Sequence, residues 1–262
     1  MNGKNTLKMD KISVLIPTYN SPESLDLLLK SLIDGAFSKT KHQIIVGVDG
    51  TYDVNKTTLD KYKNYVELLI LDENVGLCRM TNLLVYNASN ELILIVNDDN
   101  VAPRNWDACL LHTKPDNSII SPNQIEPIPS MFKQFICEDL GKKPSEFDID
   151  KFNKIEHDVS TVKSDETGST LPIFMKKIDF LKVGGWDETY PEGMVADWDF
   201  FLKCQLSGMR MIRTYNCHFY HFVSLSVNNE KRQRAEKQGH LYSHYKWGTN
   251  IKHNSFTNLK FI

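Results

Sequence analysis

The sequence predicts an α/β protein built on a mostly parallel central sheet. Four short apolar runs recur in the first hundred residues, at 12–16 (ISVLI), 43–48 (QIIVGV), 66–71 (VELLIL) and 91–96 (ELILIV). They are continuous rather than alternating, as expected of strands buried on both faces. Segments with helical spacing lie between them, and a strand–helix alternation implies right-handed crossovers and parallel pairing. A chain of 262 residues can bury a substantial core without disulfides or a structural metal.

The elements follow in order. Leu25, Leu28, Leu29 and Leu32 share one face of a helix predicted over 23–33. Pro22 suits its first turn, and Ser21 is its expected cap. Leu77, Met80, Leu83 and Leu84 mark a second helix over 76–87. Residues 138–168 hold nine acidic and five basic side chains and few apolar ones. They are expected to form a long excursion, mobile or gripping a substrate. A strand is predicted at 171–175 (LPIFM), then a short helix over 177–183 stopped by Gly184-Gly185. Residues 197–206 (DWDFFLKCQL) are predicted helical, with Gly208 as the stop, and 210–214 and 217–222 as two strands. Residues 228–262 hold seven Lys or Arg against two Glu, a local charge of +5. They are expected to form a basic extension, mostly helical, able to cover a neighbouring face of the fold or meet a peripheral anionic partner.

Hydrophobic residues are 41% and charged residues 24%, ordinary for a globular chain. The net charge of −2 excludes a globally basic nucleic-acid coat. No run approaches 18 apolar residues, so no membrane-spanning helix is expected. The N-terminus lacks the apolar core of a signal peptide. Five scattered cysteines (78, 109, 137, 204, 217) fit neither a zinc knuckle nor a disulfide framework, and point to a reducing cytoplasm.

In an open α/β sheet, ligands bind outside the carboxyl ends of the strands. Four polar strand ends are singled out: Pro17-Thr18-Tyr19-Asn20, Asp49-Gly50-Thr51, Asp72-Glu73-Asn74 and Asn97-Asp98-Asp99-Asn100. Asp98-Asp99 suits a hard divalent cation, Mg²⁺ or Mn²⁺, that completes its shell with substrate phosphates. The bland alternative is a solvated turn. Asp197 and Asp199 flank Trp198; at i and i+2 they cannot share a helix face. One of them is expected to act as a general base and the other to cap the helix, unless both are caps. His221 ends an apolar strand with His218 on the opposite face, and is either a structural residue or a third metal ligand. Tyr19 is either a stacking ring for a flat base or a core aromatic. Asn74, Gly76 and Asn82 bracket a helix start, which favours an anion, and Arg79 adds a phosphate-binding fork; capping and packing explain these residues equally well.

Taken in order, ISVLIPTYNSPESLDLLLKSL, VGVDGTYD, NVGLCRMTNLLV, LILIVNDDNVAPRNW, GSTLPIFMKKIDFLKVGGWDETYPEG and ADWDFFLKCQLSG resemble the family 2 glycosyltransferases over residues 10–225. The resemblance implies a GT-A fold over 1–227. Its nucleotide-sugar half would span about 10–103 and its acceptor half about 104–227. It implies inverting, metal-dependent transfer from a nucleotide-activated sugar, a UDP-sugar favoured, to a glycan or other hydroxyl acceptor, and so a place in polysaccharide biosynthesis. It places Pro17, Thr18, Tyr19, Asn20, Asp49 and Gly50 at the nucleobase. Asn74, Gly76 and Arg79 would lie near the base and diphosphate, and Asp98 near the ribose. It makes Asp99 and His221 metal ligands and Asp197 the general base. Trp186, Asp187 and Trp198 would border the sugar or acceptor.

Three positions depart from the family pattern. Val48 stands where paired acids are common, Ala196 where Glu often precedes the base, and Asn97 where the metal motif often begins with Asp. A nucleotidyltransferase would show a Gly-rich, Lys/Arg-containing segment after the first strand, where PTYNSPE stands instead. A non-catalytic nucleotide-sugar-binding module would not be expected to keep Asp49, Asp98, Asp99, Asp197 and His221 together.

Overall fold

The computed structural model describes residues 10–38, 41–223 and 229–248. The expected extension therefore lies outside the described residues at 228 and at 249–262. The first half alternates as the sequence predicts: β1 (Ile12–Thr18), α1 (Pro22–Gly35), β2 (Gln43–Asp49), α2 (Tyr52–Tyr62), β3 (Glu67–Leu71), α3 (Leu77–Asn87) and β4 (Leu92–Ile95). There follow β5 (Asn100–Val101), α4 (Trp106–Thr113), β6 (Ser118–Glu126), β7 (Ile136–Cys137), α5 (Ile149–Val159) and β8 (Ser164–Asp165). The chain then forms β9 (Ile173–Lys176), α6 (Lys177–Lys182), α7 (Ala196–Leu206), β10 (Arg210–His221) and α8 (Asn229–Trp247).

The strands join in one sheet of order β3-β2-β1-β4-β9-β6-β10-β5, with β7 beside β6 and β8 beside β10. β1, β2, β3 and β4 pair in parallel, as do β6 and β10. β9 runs antiparallel to both β4 and β6 and so splices the two parallel sets into one mixed sheet.

Alternation along β1 explains its unbroken apolar run. Leu15 faces a core formed with Leu84 of α3, Phe180 of α6 and Phe200 of α7. Val14 and Ile16 face the other core, with Leu25 and Leu29 of α1, Leu59 of α2 and Trp106 of α4. Helices therefore cover both faces, and each buried Leu or Ile contributes about 1.5–3 kcal/mol. The third apolar run departs from expectation: β3 ends the sheet, and its Leu68 and Ile70 are about two-fifths exposed.

Other expectations change in detail. Ser21 does not cap α1; its hydroxyl donates to the Tyr19 carbonyl (3.0 Å), and Pro22 opens the helix without a side-chain cap. The acid-rich excursion contains α5, capped by Asp148, whose carboxylate accepts from Lys151 N (2.9 Å), and anchored by fully buried Phe152. The two strands expected at 210–222 are one strand, β10, with an irregularity between Thr214 and His218. Gly184, Gly185 and Gly208 take positive φ at the helix ends where stops were expected.

Candidate active site

The carboxyl ends of β1, β2, β4, β6 and β10 supply the polar residues. After β1, Tyr19 is 46% exposed, which removes the core-aromatic alternative for this ring. Buried Thr18 donates its hydroxyl to Asp98 Oδ2 (2.7 Å), tying the first strand end to the fourth. After β2, buried Asp49 accepts from Val75 N (2.7 Å) and Gly76 N (3.0 Å). Its carboxylate thus holds the loop that leads into α3. Gly50 allows this turn: its φ is +74°, and a Cβ there would lie 2.6 Å from Asn74 N. Arg79 is exposed in the first turn of α3, and Asn74 is exposed just before it.

Asp98 and Asp99 leave β4 half-buried. Burial and the neighbouring Asp99 push the Asp98 carboxyl up to about 7, against the opposing hydrogen bond from Thr18. Asp99 meets the end of β10: His221 Nε2 lies 3.5 Å from its Oδ2, and Phe222 N donates to its carbonyl (3.1 Å). On the other side of the ring, His221 Nδ1 lies 2.9 Å from Glu126 Oε1 at the end of β6. Burial disfavours a charged ring there, yet Asp99 and Glu126 outweigh it and hold the imidazole up at about 10. His218 faces away, fully buried against Ser160 (3.2 Å), and burial lowers it to about 4. His218 therefore packs as a structural residue.

Among the described residues, no three His, Cys, Asp or Glu side chains form a ready metal cage. The donor set nevertheless fits a divalent cation. Asp99 offers an oxygen and His221 a nitrogen, and Mg²⁺ or Mn²⁺ at such sites takes few protein ligands beside substrate phosphates. A carboxylate on the far nitrogen of a ligating histidine is the usual arrangement around metals. Sequence reasoning does not reach Glu126. β6 reads SIISPNQIE, and its buried polar residues mask a strand; the strand-end rule was the one signal available.

The residues expected to border the sugar or acceptor gather on the loop 184–195 and on α7. Asn82 of α3 pins this loop twice: its Nδ2 donates to the Trp186 carbonyl (2.8 Å) and its Oδ1 accepts from Trp186 N (2.9 Å). The Trp186 ring lies in the core, 2% exposed, beside Phe200. Trp198 is half-buried against the His240 ring, with centroids 5.8 Å apart. Asp197 is half-buried in the first turn of α7, and burial pushes its carboxyl up to about 6.

Asp199 does not cap the helix. Val195 holds the cap position, while Asp199 is wholly buried and binds α8. Its carboxylate accepts from Lys246 Nζ (2.8 Å), Trp247 Nε1 (2.7 Å) and Tyr190 OH (3.2 Å). Lys246 also reaches Asp187 Oδ2 (2.6 Å), which accepts from Tyr242 OH as well (3.1 Å). Burial works against the Asp187 carboxylate, but Lys246 and the Thr189 N–H outweigh it and hold it at about 2. α8 crosses close over the loop: a Cβ at Gly239 would lie 2.6 Å from the Met194 carbonyl.

Residues 13–119 match the model of Glycosyl transferase family 2. Over 95 residues the chain is 34% identical to the poly(ribitol-phosphate) β-N-acetylglucosaminyltransferase TarS of Staphylococcus aureus, covering 35% of this chain and 17% of TarS. Over 99 residues it is 26% identical to the glycosyltransferase AglE of Haloferax volcanii, covering 36% of this chain and 32% of AglE. The matches thus span a third or less of these relatives. The fold superposes on the crystal structure of TarS 1–349 with a TM-score of 0.60 at 14% identity, covering 90% of this chain and 72% of that one. It superposes on GalNAc-T7 with UDP, GalNAc and Mn²⁺ at 0.65 and 13%, covering 92% and 51%. The values for the mannosyltransferase PcManGT of Pyrobaculum calidifontis, solved with GDP-Man and Mn²⁺, are 0.60 and 14%, covering 91% and 65%. Residues 13–119 thus carry a sequence similar to the glycosyl transferase family 2 model, and the described residues share the GT-A fold of these solved structures.

Proposed function

We propose that the chain is an inverting glycosyltransferase that moves a sugar from a nucleoside-diphosphate sugar to an acceptor hydroxyl. The observation that carries this reading is the meeting of Asp99 with His221, backed by Glu126, at the strand ends that also hold Asp98 on Thr18. Nucleotide sugars are the ligands in solved relatives of this fold, including TarS with UDP-GlcNAc and PcManGT with GDP-Man. A UDP-sugar is the favoured donor here.

Asp99 and His221 would hold Mn²⁺ or Mg²⁺. When bound, the cation neutralises charge developing on the departing diphosphate. Tyr19 offers an exposed ring for stacking on the nucleobase, and Asp49 fixes the loop that forms the pocket's other wall. The α3 N-terminus and Arg79 present positive charge to phosphate oxygens. Asp98 stands near the ribose.

Asp197 takes the proton from the acceptor hydroxyl. The freed oxygen attacks the anomeric carbon from the face opposite the diphosphate, and the bond from that carbon to the diphosphate oxygen breaks. One displacement inverts the anomeric configuration. A carboxyl at about 6 suits the task, because it is ionised near neutrality yet more basic than an ordinary aspartate. Asp187 and Trp198 border the acceptor side, and the buried Trp186 ring supports the loop from beneath. The division into a donor half to residue 103 and an acceptor half to 227, with 229–247 covering the latter, follows from this assignment. Among the described residues no helix is long and apolar enough to cross a membrane.

The test is a panel of nucleotide sugars incubated with the full chain and Mn²⁺, followed by NMR of the product anomer. The expected result is metal-dependent consumption of one donor and a product of inverted configuration. Full turnover in excess EDTA, or retention of configuration, refutes the reading.

A further inference from the structure

The sheet register brings two carboxylates to opposite sides of one imidazole. β10 runs parallel to β6, with Tyr220 opposite Ile125, and antiparallel to β5, with His221 opposite Asn100. His221 is thus held between the last residue of β6 and the residue that precedes β5. Glu126 is 5% exposed, and its Oε1 lies 2.9 Å from Nδ1. Asp99 Oδ2 lies 3.5 Å from Nε2.

An ionised carboxylate only accepts hydrogen bonds, so the Nδ1 facing Glu126 is the protonated nitrogen. A cation at Nε2 would take the place of the proton there, leaving the ring one N–H. With that remaining proton on Nδ1, the lone pair is on Nε2, on the side of Asp99. If the remaining proton moved to Nε2, that nitrogen could not bind a cation, and if the ring rotated by half a turn, a ring carbon would stand in its place beside Asp99. Glu126 meets the ring at Nδ1, on the side away from Asp99, so it does not share the space between Asp99 and Nε2.

We propose that Glu126 is a positioning residue for the divalent-cation site. It fixes the tautomer and rotation of His221 so that Nε2 and Asp99 face the same space. The inference rests on Asp99 and His221 being the cation ligands.

Mn²⁺ itself is the probe, titrated into the full chain with and without UDP, with free Mn²⁺ counted by electron paramagnetic resonance. Glu126→Ala should weaken Mn²⁺ binding roughly 10–100-fold, the usual effect of losing an outer-sphere partner. Glu126→Gln keeps an acceptor oxygen for Nδ1–H and should fall between Glu126→Ala and the parent chain. If Glu126→Ala does not fold, Glu126→Gln decides alone: binding about threefold or more weaker supports the role, and parental binding overturns it. Parental affinity in both Glu126 variants, with Asp99→Ala and His221→Ala binding poorly, refutes the positioning role. Parental affinity in Asp99→Ala and His221→Ala refutes instead the ligand assignment beneath it.

Discussion

Lys246→Met removes the cation that ties α8 to the loop below it. The ammonium touches Asp187 at 2.6 Å and Asp199 at 2.8 Å, and Asp199 has no exposed surface. Breaking one side of a buried ion pair costs about 3–5 kcal/mol, because the other charge is left in a poor solvent. Two features reduce that here. Trp247 Nε1 and Tyr190 OH still donate to Asp199, and Lys203 Nζ stays 3.7 Å away. Asp187 is partly exposed and can recruit water. A loss of about 2–4 kcal/mol is therefore expected. At about 2–4 °C per kcal/mol for a chain of this size, the melting temperature should fall by roughly 5–15 °C. Urea unfolding with a shared m-value is the assay. Asp199→Asn in the Lys246→Met background should recover much of the loss, since a neutral amide needs no cation. The Asp187 carboxyl, held at about 2 against an ordinary 3.8, adds stability above pH 4 that is lost as pH falls toward 2. Lys246→Met should flatten that acid limb. A Lys246→Met chain within about 0.5 kcal/mol of the parent, or one that Asp199→Asn makes still weaker, would refute the reasoning.

Further outcomes are expected. Asp99→Ala should abolish metal-dependent transfer while circular dichroism and melting in EDTA stay near the parent's. Asp197→Asn should slow transfer by roughly a hundredfold or more with UDP affinity nearly unchanged, and the parent's rate should rise with pH through about 6 as the base ionises. The same variant should be more stable by about 1–2 kcal/mol above pH 6, because the folded state raises this carboxyl from 3.8 and so loses stability as it ionises; the gain should vanish below about pH 4, as urea midpoints across pH will show. Asp49→Ala frees two backbone N–H groups of the loop before α3 and should weaken UDP binding about tenfold by calorimetry, with the sheet intact.

What the sequence made legible is what local pattern encodes. Runs such as ISVLI appear because a strand covered on both faces needs apolar residues at every position. VELLIL has the same pattern, but only the completed sheet reveals that β3 lies at its end with one side open. β6 escaped notice for the opposite reason. Its Asn123 and Gln124 are buried because distant carbonyls at Gln134 and Leu171 receive their amides, a compensation with no local trace. Glu126 was hidden with them. The acids at 49, 98, 99 and 197 were legible because strand ends and helix starts are local features. The different surroundings of Asp197 and Asp199 were not, since Lys246 and Trp247 reach Asp199 from almost fifty residues away.

The pairing of β10 between β6 and β5 also bears on how the molecule comes into being. His221 and Glu126 are 95 residues apart along the chain, and their meeting is a contact of high order, slow to form and dependent on nearly all of the intervening sequence. During synthesis β6 emerges long before its neighbour, so one edge of it stays unpaired until β10 has left the ribosome. A fragment ending before residue 210 would contain the whole of the matched 13–119 segment, with Asp98 and Asp99, yet lack the His221 imidazole of the proposed cation site. Under the proposed chemistry such a fragment should not consume donor, so a nascent or truncated chain would stay silent until β10 has paired with β6.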